Sequence, residues 1–208
     1  MAASIPARLG PATLLSVNRA HDSDLVDNPA AKYRLARHAG QPTPKTGIAK
    51  RPVDGPVRIE ALGVVGDHIL DTENHGGIWQ AVYAYAREDA EWWQHELGDE
   101  LTRKLTPGCF GENLTTWGVD VTDAVIGERW RIGEVELEVT KPRIPCSTFA
   151  GFWNVAQLVK RFTLAGRPGA YLRVVVPGEL SAGQPIEVLD RPAGNPTIAQ
   201  VFSVRRPT

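Results

Sequence analysis

Apolar and polar residues alternate along several short segments of this 208-residue chain. The clearest is residues 135–139 (VELEV), whose period of two is typical of a strand with one buried face. Residues 128–132 precede it across a turn at residues 133–134, so the pair predicts a hairpin. We expect the two prolines that follow to stop the second strand and to leave Cys146 on a loop that leaves the sheet.

Short apolar runs between turn residues predict the other strands. These runs are residues 13–18, 57–65, 81–85, 170–176 and 185–189, with a last strand at residues 197–204. Residues 107–116 predict a loop that returns into a strand, and glycine turns at residues 177–178 and 182–183 separate the later strands.

Two segments predict helices. Residues 87–97 begin with an acidic first turn, which suits the positive end of a helix, and Gly98 is a natural stop. Trp92 and Trp93 give this helix an aromatic face, which we interpret as packing anchors. Residues 154–164 predict the second helix. Strands outnumber helices, so the sequence predicts a mainly β protein with a few helices, an α+β fold built on a barrel.

The domain organisation follows from the distribution of loops. Residues 21–45 are polar and contain three prolines, which predicts a long loop with a helical turn near residues 30–37. Such a loop can cover a pocket or belong to an interface. We expect residues 1–45 to be an N-terminal strand and loop of the same domain, residues 46–190 to form the core, and residues 191–208 to form a C-terminal strand and tail.

Composition narrows the class of protein. A hydrophobic fraction of 42% supports a substantial core, and a net charge of −1 does not favour nucleic acid as a partner. Two cysteines do not make a disulfide framework in a chain of this length, so we expect a reducing, cytoplasmic setting. No apolar run approaches the length of a membrane span, and residues 1–10 lack the apolar core of a signal peptide.

Cys146 is the first candidate for chemistry. Arg143 precedes it by three residues, and nearby positive charge favours the thiolate, which is the form that attacks electrophiles and binds metals. The alternative is that this cysteine is a small buried hydrophobic residue, as lone cysteines often are. Position in the sequence alone leaves the two interpretations about equal.

Five motifs in a fixed order carry a family resemblance. They are TGIAKRPV at residues 46–53, a loop at 66–77 that ends in HGG, FGENL at 110–114, RIPC at 143–146 and YLRV at 171–174. Together they resemble the MOSC domain, the C-terminal domain family of molybdenum cofactor sulfurases, and its stand-alone bacterial YiiM-like branch in particular. The resemblance covers residues 46–189. Ala49 departs from it, because the branch commonly has a bulky aromatic residue there.

The resemblance implies a strand-rich barrel that binds the molybdenum cofactor (molybdopterin), with Cys146 as the metal ligand. It implies an oxidoreductase that reduces N-hydroxylated small molecules with electrons from a separate reductase partner. The alternative is a non-catalytic carrier of the cofactor, in which Cys146 holds persulfide sulfur. Because no pyridoxal phosphate domain is attached, we expect the chain not to be a self-contained sulfurase. The sequence leaves open whether the protein is a homodimer.

The same motifs supply candidates for binding the cofactor phosphate. Lys50, Arg143 and Arg173 are the cations, and arginine can grip phosphate with two donors. His75 could donate to phosphate or relay a proton to the departing oxygen of a substrate, so we place it with Cys146 as catalytic. Lys50 and Arg173 could instead be ordinary charges at a strand edge, and His75 could bond a backbone carbonyl.

Backbone and amide groups complete the predicted site. Gly76, Gly77 and Gly111 would let backbone N–H groups approach a ligand closely, or could simply form turns with positive φ. Asn113 has both a donor and an acceptor, as the edge of a pterin does. We expect Glu112 to point away from an anionic cofactor or to pair with a cation.

Three further residues have structural alternatives. Asp67 and Asp71 are expected to hold their loop rather than to act in chemistry. Cys109 lies just before the FGENL motif and could be a resolving thiol for Cys146, although a small buried residue is the simpler interpretation.

Two other functional classes compete with the resemblance. A cysteine hydrolase could use Cys146, His75 and Asn113, but we expect no helix with an oxyanion site to open at residues 147–149. A plain interaction domain is the second, and the clustered polar loops disfavour it.

Overall fold

The computed structural model describes residues 11–28, 30 and 44–204. Within them the strands are β1 Thr13–Arg19, β2 Val26–Asp27, β3 Lys45–Thr46, β4 Arg51–Pro52, β5 Val57–Glu60, β6 Gly63–Val64, β7 Val82–Ala86, β8 Leu114–Trp117, β9 Arg129–Ile132, β10 Val135–Pro142, β11 Ala170–Val176, β12 Gly178–Leu180 and β13 Glu187–Asp190. The α-helices are α1 Arg87–Leu97, α2 Ser147–Trp153, α3 Leu158–Ala165 and α4 Ile198–Ser203. Short 3-10 helices cover Asp22–Asp24, Ile78–Gln80 and Gly98–Glu100.

Eight strands form the main sheet in the order β13-β9-β10-β11-β7-β8-β1-β4. Its pairs are antiparallel except for β7 and β8, which run parallel. The sheet curls until Thr13 of β1 forms an isolated bridge with Pro185, just before β13. The predicted α+β class is therefore confirmed, whereas the barrel is incomplete, because this bridge and its flanking hydrogen bonds are not a continuous ladder.

The two faces of the main sheet bury different side chains. Because side chains alternate along a strand, Val82 and Ala84 of β7 join an aliphatic core inside the curl, while Tyr83 and Tyr85 face the other way. On that outer face an aromatic cluster packs against the helices, with Trp93, Phe149 and Phe162 fully buried. The candidate site lies at the margin of this aromatic layer.

Several sequence predictions match the described structure closely. The helix at residues 87–97 has the predicted bounds, and Gly98 ends it with positive φ. The hairpin of β9 and β10 and the strand at residues 170–176 are also confirmed. The predicted helical turn at residues 30–37 lies outside the described residues, except for Ala30.

Other boundaries were wrong. Residues 57–65 are a hairpin of β5 and β6 rather than one strand, and Gly178 begins β12 instead of forming only a turn. The helix predicted at 154–164 is α3, shortened because Asn154 ends the preceding helix in the left-handed conformation. Residues 197–204 contain the helix α4 and not a strand, since Thr197 makes a capping box with Gln200 at the helix start.

The exit from β10 also differs from the prediction. The strand continues through Pro142, and helix α2 begins at Ser147, directly after Cys146. The expectation that no helix opens at residues 147–149 was therefore wrong. Among the helices of the described ranges, none has the length and the apolar run that crossing a membrane requires.

Candidate functional site

A cleft opens beside the aromatic layer, with an empty volume of about 790 Å³ that includes its mouth. Four connections meet there: the segment from β3 to β4, the loop before the 3-10 helix at Ile78–Gln80, the loop before β8, and the turn from β10 to α2. The predicted site residues that line this cleft are Lys50, His75, Gly76, Gly111, Asn113, Arg143 and Cys146. Gly77 and Arg173 are not among its lining residues.

Cys146 is partly buried at the start of α2 and faces the cleft. Burial by itself would raise the pKa of the thiol, but the polar contact with His75 and the positive charge of Arg143 outweigh it, with a smaller contribution from the backbone N–H of Phe149. The net effect lowers the pKa of Cys146 to about 7. The lowered pKa favours the thiolate, which is the form that binds metals and attacks electrophiles.

Arg143 is buried, with an exposed fraction of 5%. Its guanidinium carbon lies 4.0 Å from the ring centroid of Phe149 and 5.5 Å from that of Phe162, so aromatic faces hold it in place. Among the described residues it forms no ion pair with a carboxylate, and its Nη1 atom is buried without a hydrogen-bond partner. A buried cation with unused donors at a cleft wall is suited to an anionic ligand.

The loop that carries His75 is held from within. The backbone N–H of His75 donates to the carbonyl of Asp71 at 3.0 Å, and Asn74 donates to the carboxylate of Asp71. Gly76 and Gly77 both have φ of 76°, which confirms the need for glycine at this bend. Gly76 lines the cleft, whereas Gly77 serves as the cap of the following 3-10 helix.

Lys50 and Asn113 lie on a wall whose polar groups are already paired. Lys50 forms a buried ion pair with Asp67, whose carboxylate also accepts from the N–H of Ala20 at 2.8 Å and from Nδ2 of Asn113 at 2.8 Å. Burial lowers the pKa of Lys50, and Asp67 opposes that shift. Asn113 donates a second bond to the carbonyl of Asn18.

Asn113 also accepts from the N–H of Tyr83 at 3.2 Å, so its amide braces three segments of chain. Both amide N–H donors that the sequence assigned to a pterin edge are therefore already used within the protein. No hydrogen bond joins Asn113 to His75, so the described residues give no Cys146–His75–Asn113 hydrolase triad. The structural role predicted for Asp67 fits the same network.

Glu112 and Cys109 belong to the loop behind this wall. Glu112 does not line the cleft and accepts from the N–H groups of Gly108 at 2.6 Å and Phe110 at 2.9 Å, so it ties the loop rather than pairing with a cation. Burial raises the pKa of Glu112 to about 7. Cys109 is buried, and burial together with Glu112 raises the pKa of its thiol. A thiol in that environment is inert, which favours packing over a resolving role.

Arg173 lies on β11 and is engaged elsewhere. Its guanidinium makes two bonds to the carboxylate of Glu138, its neighbour on β10, at 2.8 and 2.7 Å. It also lies 5.5 Å from the ring centroid of Trp79. The structure therefore separates Arg173 from the other predicted cations, and we no longer assign it to a phosphate.

Sequence reasoning missed two tyrosines of the cleft. Tyr83 and Tyr171 are cross-strand partners in the β7–β11 pair, with ring centroids 5.3 Å apart, and both line the cleft. Burial raises the pKa of Tyr171, so its hydroxyl stays protonated and can donate a hydrogen bond. Each tyrosine lies on a predicted strand. The register of the two strands, had it been known, would have shown that both side chains lie on the same face of the sheet.

Among the described residues, no group of three or more His, Cys, Asp and Glu side chains is arranged to hold a metal ion. A metal that arrives with ligands of its own needs fewer protein ligands than that, and the thiolate of Cys146 is one candidate. A metal held in an organic, sulfur-rich ligand fits that description.

Comparisons with known proteins identify the family of this chain. A family model described as MOSC domain matches residues 71–187. The uncharacterized protein YflK of Bacillus subtilis is 35% identical over 147 residues, which cover 71% of this chain and 65% of YflK. YiiM of Escherichia coli is 32% identical over 146 residues, 70% of this chain and 65% of YiiM. A Gibberella moniliformis protein named "Reductase" is 33% identical over 77% of this chain and 28% of its own length.

Solved structures of YiiM proteins are also similar to this chain. The crystal structure of YiiM from Geobacillus stearothermophilus has a TM-score of 0.70 at 26% identity, covering 93% of this chain and 83% of that one. YiiM from Escherichia coli has a TM-score of 0.64 at 27% identity, over 74% and 71% of the two chains. This chain spans just under two thirds of its bacterial relatives YflK and YiiM, and less than a third of the fungal reductase.

Proposed function

The chain belongs to the MOSC domain family, and from this premise we propose that it is a molybdenum-cofactor-dependent oxidoreductase that reduces N-hydroxylated compounds. The observation that carries the proposal is the pairing of Cys146 with Arg143, an ionisable thiol next to a buried cation with an unused donor. A MOSC domain is a molybdenum-cofactor-associated domain, and a relative named as a reductase supports redox chemistry.

The residues of the cleft fit this cofactor. A soft thiolate suits a soft, sulfur-rich metal centre, and Cys146 supplies it near neutral pH. Arg143 offers its buried Nη1 donor to an anionic group. Gly111 has φ of 81° and lines the cleft without a side chain, which leaves room for close approach of a ligand. When bound, the molybdenum centre supplies two-electron oxygen transfer, which none of these side chains can perform.

The chain's own residues then have separate tasks. Cys146 would hold the metal, and Arg143 would bind an anionic group of the cofactor while also favouring the thiolate. His75 lies against Cys146 and is the candidate to donate a proton from its imidazole to the oxygen that leaves the substrate. The protonated hydroxyl of Tyr171 can orient a polar group in the same part of the cleft.

The overall reaction requires a source of electrons. An N-hydroxylated compound R–NHOH takes up two electrons and two protons and yields R–NH₂ and water. We propose that a separate reductase supplies the electrons. We also propose that the protein works in the cytoplasm, because the thiol of Cys146 must stay reduced to bind metal.

The test is metal and pterin analysis of protein made in a host that synthesises the molybdenum cofactor. We expect about one molybdenum per wild-type chain and its loss in Cys146→Ser, because a hydroxyl is a poor ligand for a soft metal. Cys109→Ser is the matched control, since that thiol does not line the cleft, and it should retain the metal. Equal molybdenum in wild type and Cys146→Ser would refute the ligand role.

A carrier of sulfur is the second candidate, favoured by the lowered pKa of Cys146. In that role its thiolate takes the outer sulfur of a donor persulfide R–SSH, which leaves as the thiol RSH, and Cys146 becomes the persulfide. Protein that lacks molybdenum in a competent host, but gains one cyanide-releasable sulfur on Cys146 after incubation with a persulfide donor, would favour this function.

A further inference from the structure

Asn28 lies at the wall of the cleft, directly after the short strand β2. Its backbone N–H donates to the carbonyl of Pro44 at 2.7 Å, which extends the pairing of β2 with β3 by one bond. Thr148, in the first turn of helix α2, also lines the cleft and bonds the side chain of Asn28. Asn28 therefore joins the β2–β3 pair to the helix that begins after Cys146.

Two hydrogen bonds fix the orientation of the Asn28 amide. The backbone N–H of Ala30 donates to its Oδ1 atom at 2.9 Å, and the hydroxyl of Thr148 donates to the same atom at 3.0 Å. A backbone N–H can only donate, so the atom that it contacts must be the oxygen of the amide and not its nitrogen. The positions of the oxygen and of the –NH₂ group in this side chain are therefore settled.

The –NH₂ group of Asn28 has no hydrogen-bond partner among the residues that the structure describes. Asn113 differs in this respect, because Asp67 and Asn18 accept from its –NH₂ group. The unused donors of Asn28 are already oriented at the cleft wall, so binding an acceptor there loses little conformational entropy. An amide whose oxygen is occupied and whose nitrogen is unused selects a ligand that accepts hydrogen bonds.

We propose that Asn28 is a binding residue for the molybdenum cofactor, and that its –NH₂ group donates to an acceptor on the edge of the pterin. This assignment rests on the proposed function, and it gives Asn28 the contact that the sequence assigned to Asn113. Arg143 remains the residue for the anionic group, because its charge suits phosphate, whereas a neutral amide suits an uncharged ring. Thr148 is a positioning residue, which holds the amide oxygen and so directs the nitrogen.

Asn28→Asp tests the proposal, because aspartate has the same shape but carries two oxygens. The variant keeps an acceptor for Thr148 and Ala30 and loses only the donor. Wild type and variant are produced in a host that makes the cofactor and are then diluted, and the fluorescence of oxidised pterin in the filtrate measures its release. We expect about 3- to 10-fold faster release from Asn28→Asp, which corresponds to the loss of one hydrogen bond.

The new negative charge of Asn28→Asp needs its own control. Asn195→Asp makes the same substitution at an exposed residue outside the cleft, where Nδ2 donates to the carbonyl of Ile126 at 2.9 Å, and it should release pterin as wild type does. The ratio of variant to wild-type release is measured at about 0.1 M and about 1 M salt, since salt screens charge effects but does not replace a donor. A ratio that falls to one at high salt would show repulsion by the carboxylate and would overturn the proposal.

Thr148→Val tests the positioning role. This variant keeps the shape of the side chain and removes the hydroxyl that holds the Asn28 oxygen. We expect a smaller increase in release than Asn28→Asp gives. The double variant should release pterin no faster than Asn28→Asp alone, because both changes act through one amide. Additive effects would mean that Thr148 contacts the ligand itself, and would overturn its role as a positioning residue.

The outcomes separate the role of Asn28 from the proposed function. Release from Asn28→Asp at the wild-type rate would remove Asn28 from the binding site without affecting the proposed function. If wild type holds pterin but reduces no N-hydroxylated compound with reduced methyl viologen, the reductase function fails, and the release rates still decide the role of Asn28. Wild-type protein without pterin, from a host that makes the cofactor, would overturn both.

Discussion

The cleft has two walls that use charge in opposite ways. On the lysine wall, Lys50 and Asn113 are bonded to Asp67 behind them, and the charges of the lysine and the carboxylate cancel. On the thiol wall, Arg143 has no carboxylate partner among the described residues, and its charge helps to lower the pKa of the Cys146 thiol. The first wall is complete without a ligand, whereas the second has unused donors and a reactive sulfur.

This difference separates stability from function. A buried polar group that is fully paired contributes to one unique structure, and its loss exposes the partner that remains. A buried cation without a partner lowers the stability of the folded chain, so its presence indicates a role in binding or chemistry. We therefore expect substitutions on the lysine wall to act on folding, and those on the thiol wall to act on ligand binding and thiol chemistry.

The largest effect on stability should come from Asp67→Ala. It leaves Lys50 buried without its partner and removes bonds to Ala20 and Asn113, so we expect a loss of about 3–5 kcal/mol in the free energy of unfolding. Urea denaturation measures this loss. The matched control is Asp27→Ala, which breaks an exposed ion pair with Lys45 and should cost less than about 1 kcal/mol.

A similarly small loss in Asp67→Ala and Asp27→Ala would contradict the comparison, because it would mean that the lysine wall is not a structural network. The double variant Lys50→Met with Asp67→Ala sharpens the result. It removes both charges, so it should be more stable than Asp67→Ala alone.

Much of the fold could be predicted from the sequence because strands with one buried face have a strict period. The hairpin of β9 and β10 and the strand β11 follow from that pattern. The errors fall where local geometry overrides it. The apolar run at residues 197–204 is too short to show a period, and the cap at Thr197 made it a helix.

The candidate site was predictable as a set of loops but not as a set of contacts. The sequence does not distinguish Arg143 from Arg173, since each is an arginine within a motif. The register of β10 against β11 distinguishes them, because it sets Glu138 opposite Arg173 while Arg143 lies beyond the end of the strand. Register is a long-range property that local propensity does not encode, and for the same reason the bond from Asn113 to Asp67 could not be foreseen.

The second prediction concerns Arg143→Met on the thiol wall. Stability should stay within about 1 kcal/mol of wild type, because the contact of the guanidinium with Phe149 is lost but an unpaired buried charge is removed as well. The pH midpoint of thiol alkylation by iodoacetamide should rise above 7, by roughly one pH unit, since a nearby positive charge stabilises the thiolate. Alkylation slows as the pH falls through that midpoint, because protonation consumes the reactive thiolate.

Two results would break this half of the comparison. One is a loss of stability as large as that of Asp67→Ala, which would make Arg143 structural. The other is an unchanged midpoint for the thiol of Cys146. Arg103→Met is the matched control, because that guanidinium also stacks on a ring, 4.3 Å from the centroid of Phe152, but does not line the cleft. It should leave the midpoint near 7.

The smallest effect should come from Arg173→Ala. The ion pair with Glu138 is partly exposed, so its loss should cost less than about 1 kcal/mol. Because Arg173 lies outside the cleft, molybdenum content and the alkylation midpoint of Cys146 should both match wild type. Loss of molybdenum in this variant would place Arg173 in the cofactor site. It would also mean that Arg143 is not the only cation that binds the cofactor. Retention of molybdenum in Arg173→Ala, together with its loss in Arg143→Met, would show that Arg143 binds the anionic group and Arg173 does not. The difference would then follow from Glu138, which pairs with Arg173 and leaves Arg143 without a carboxylate.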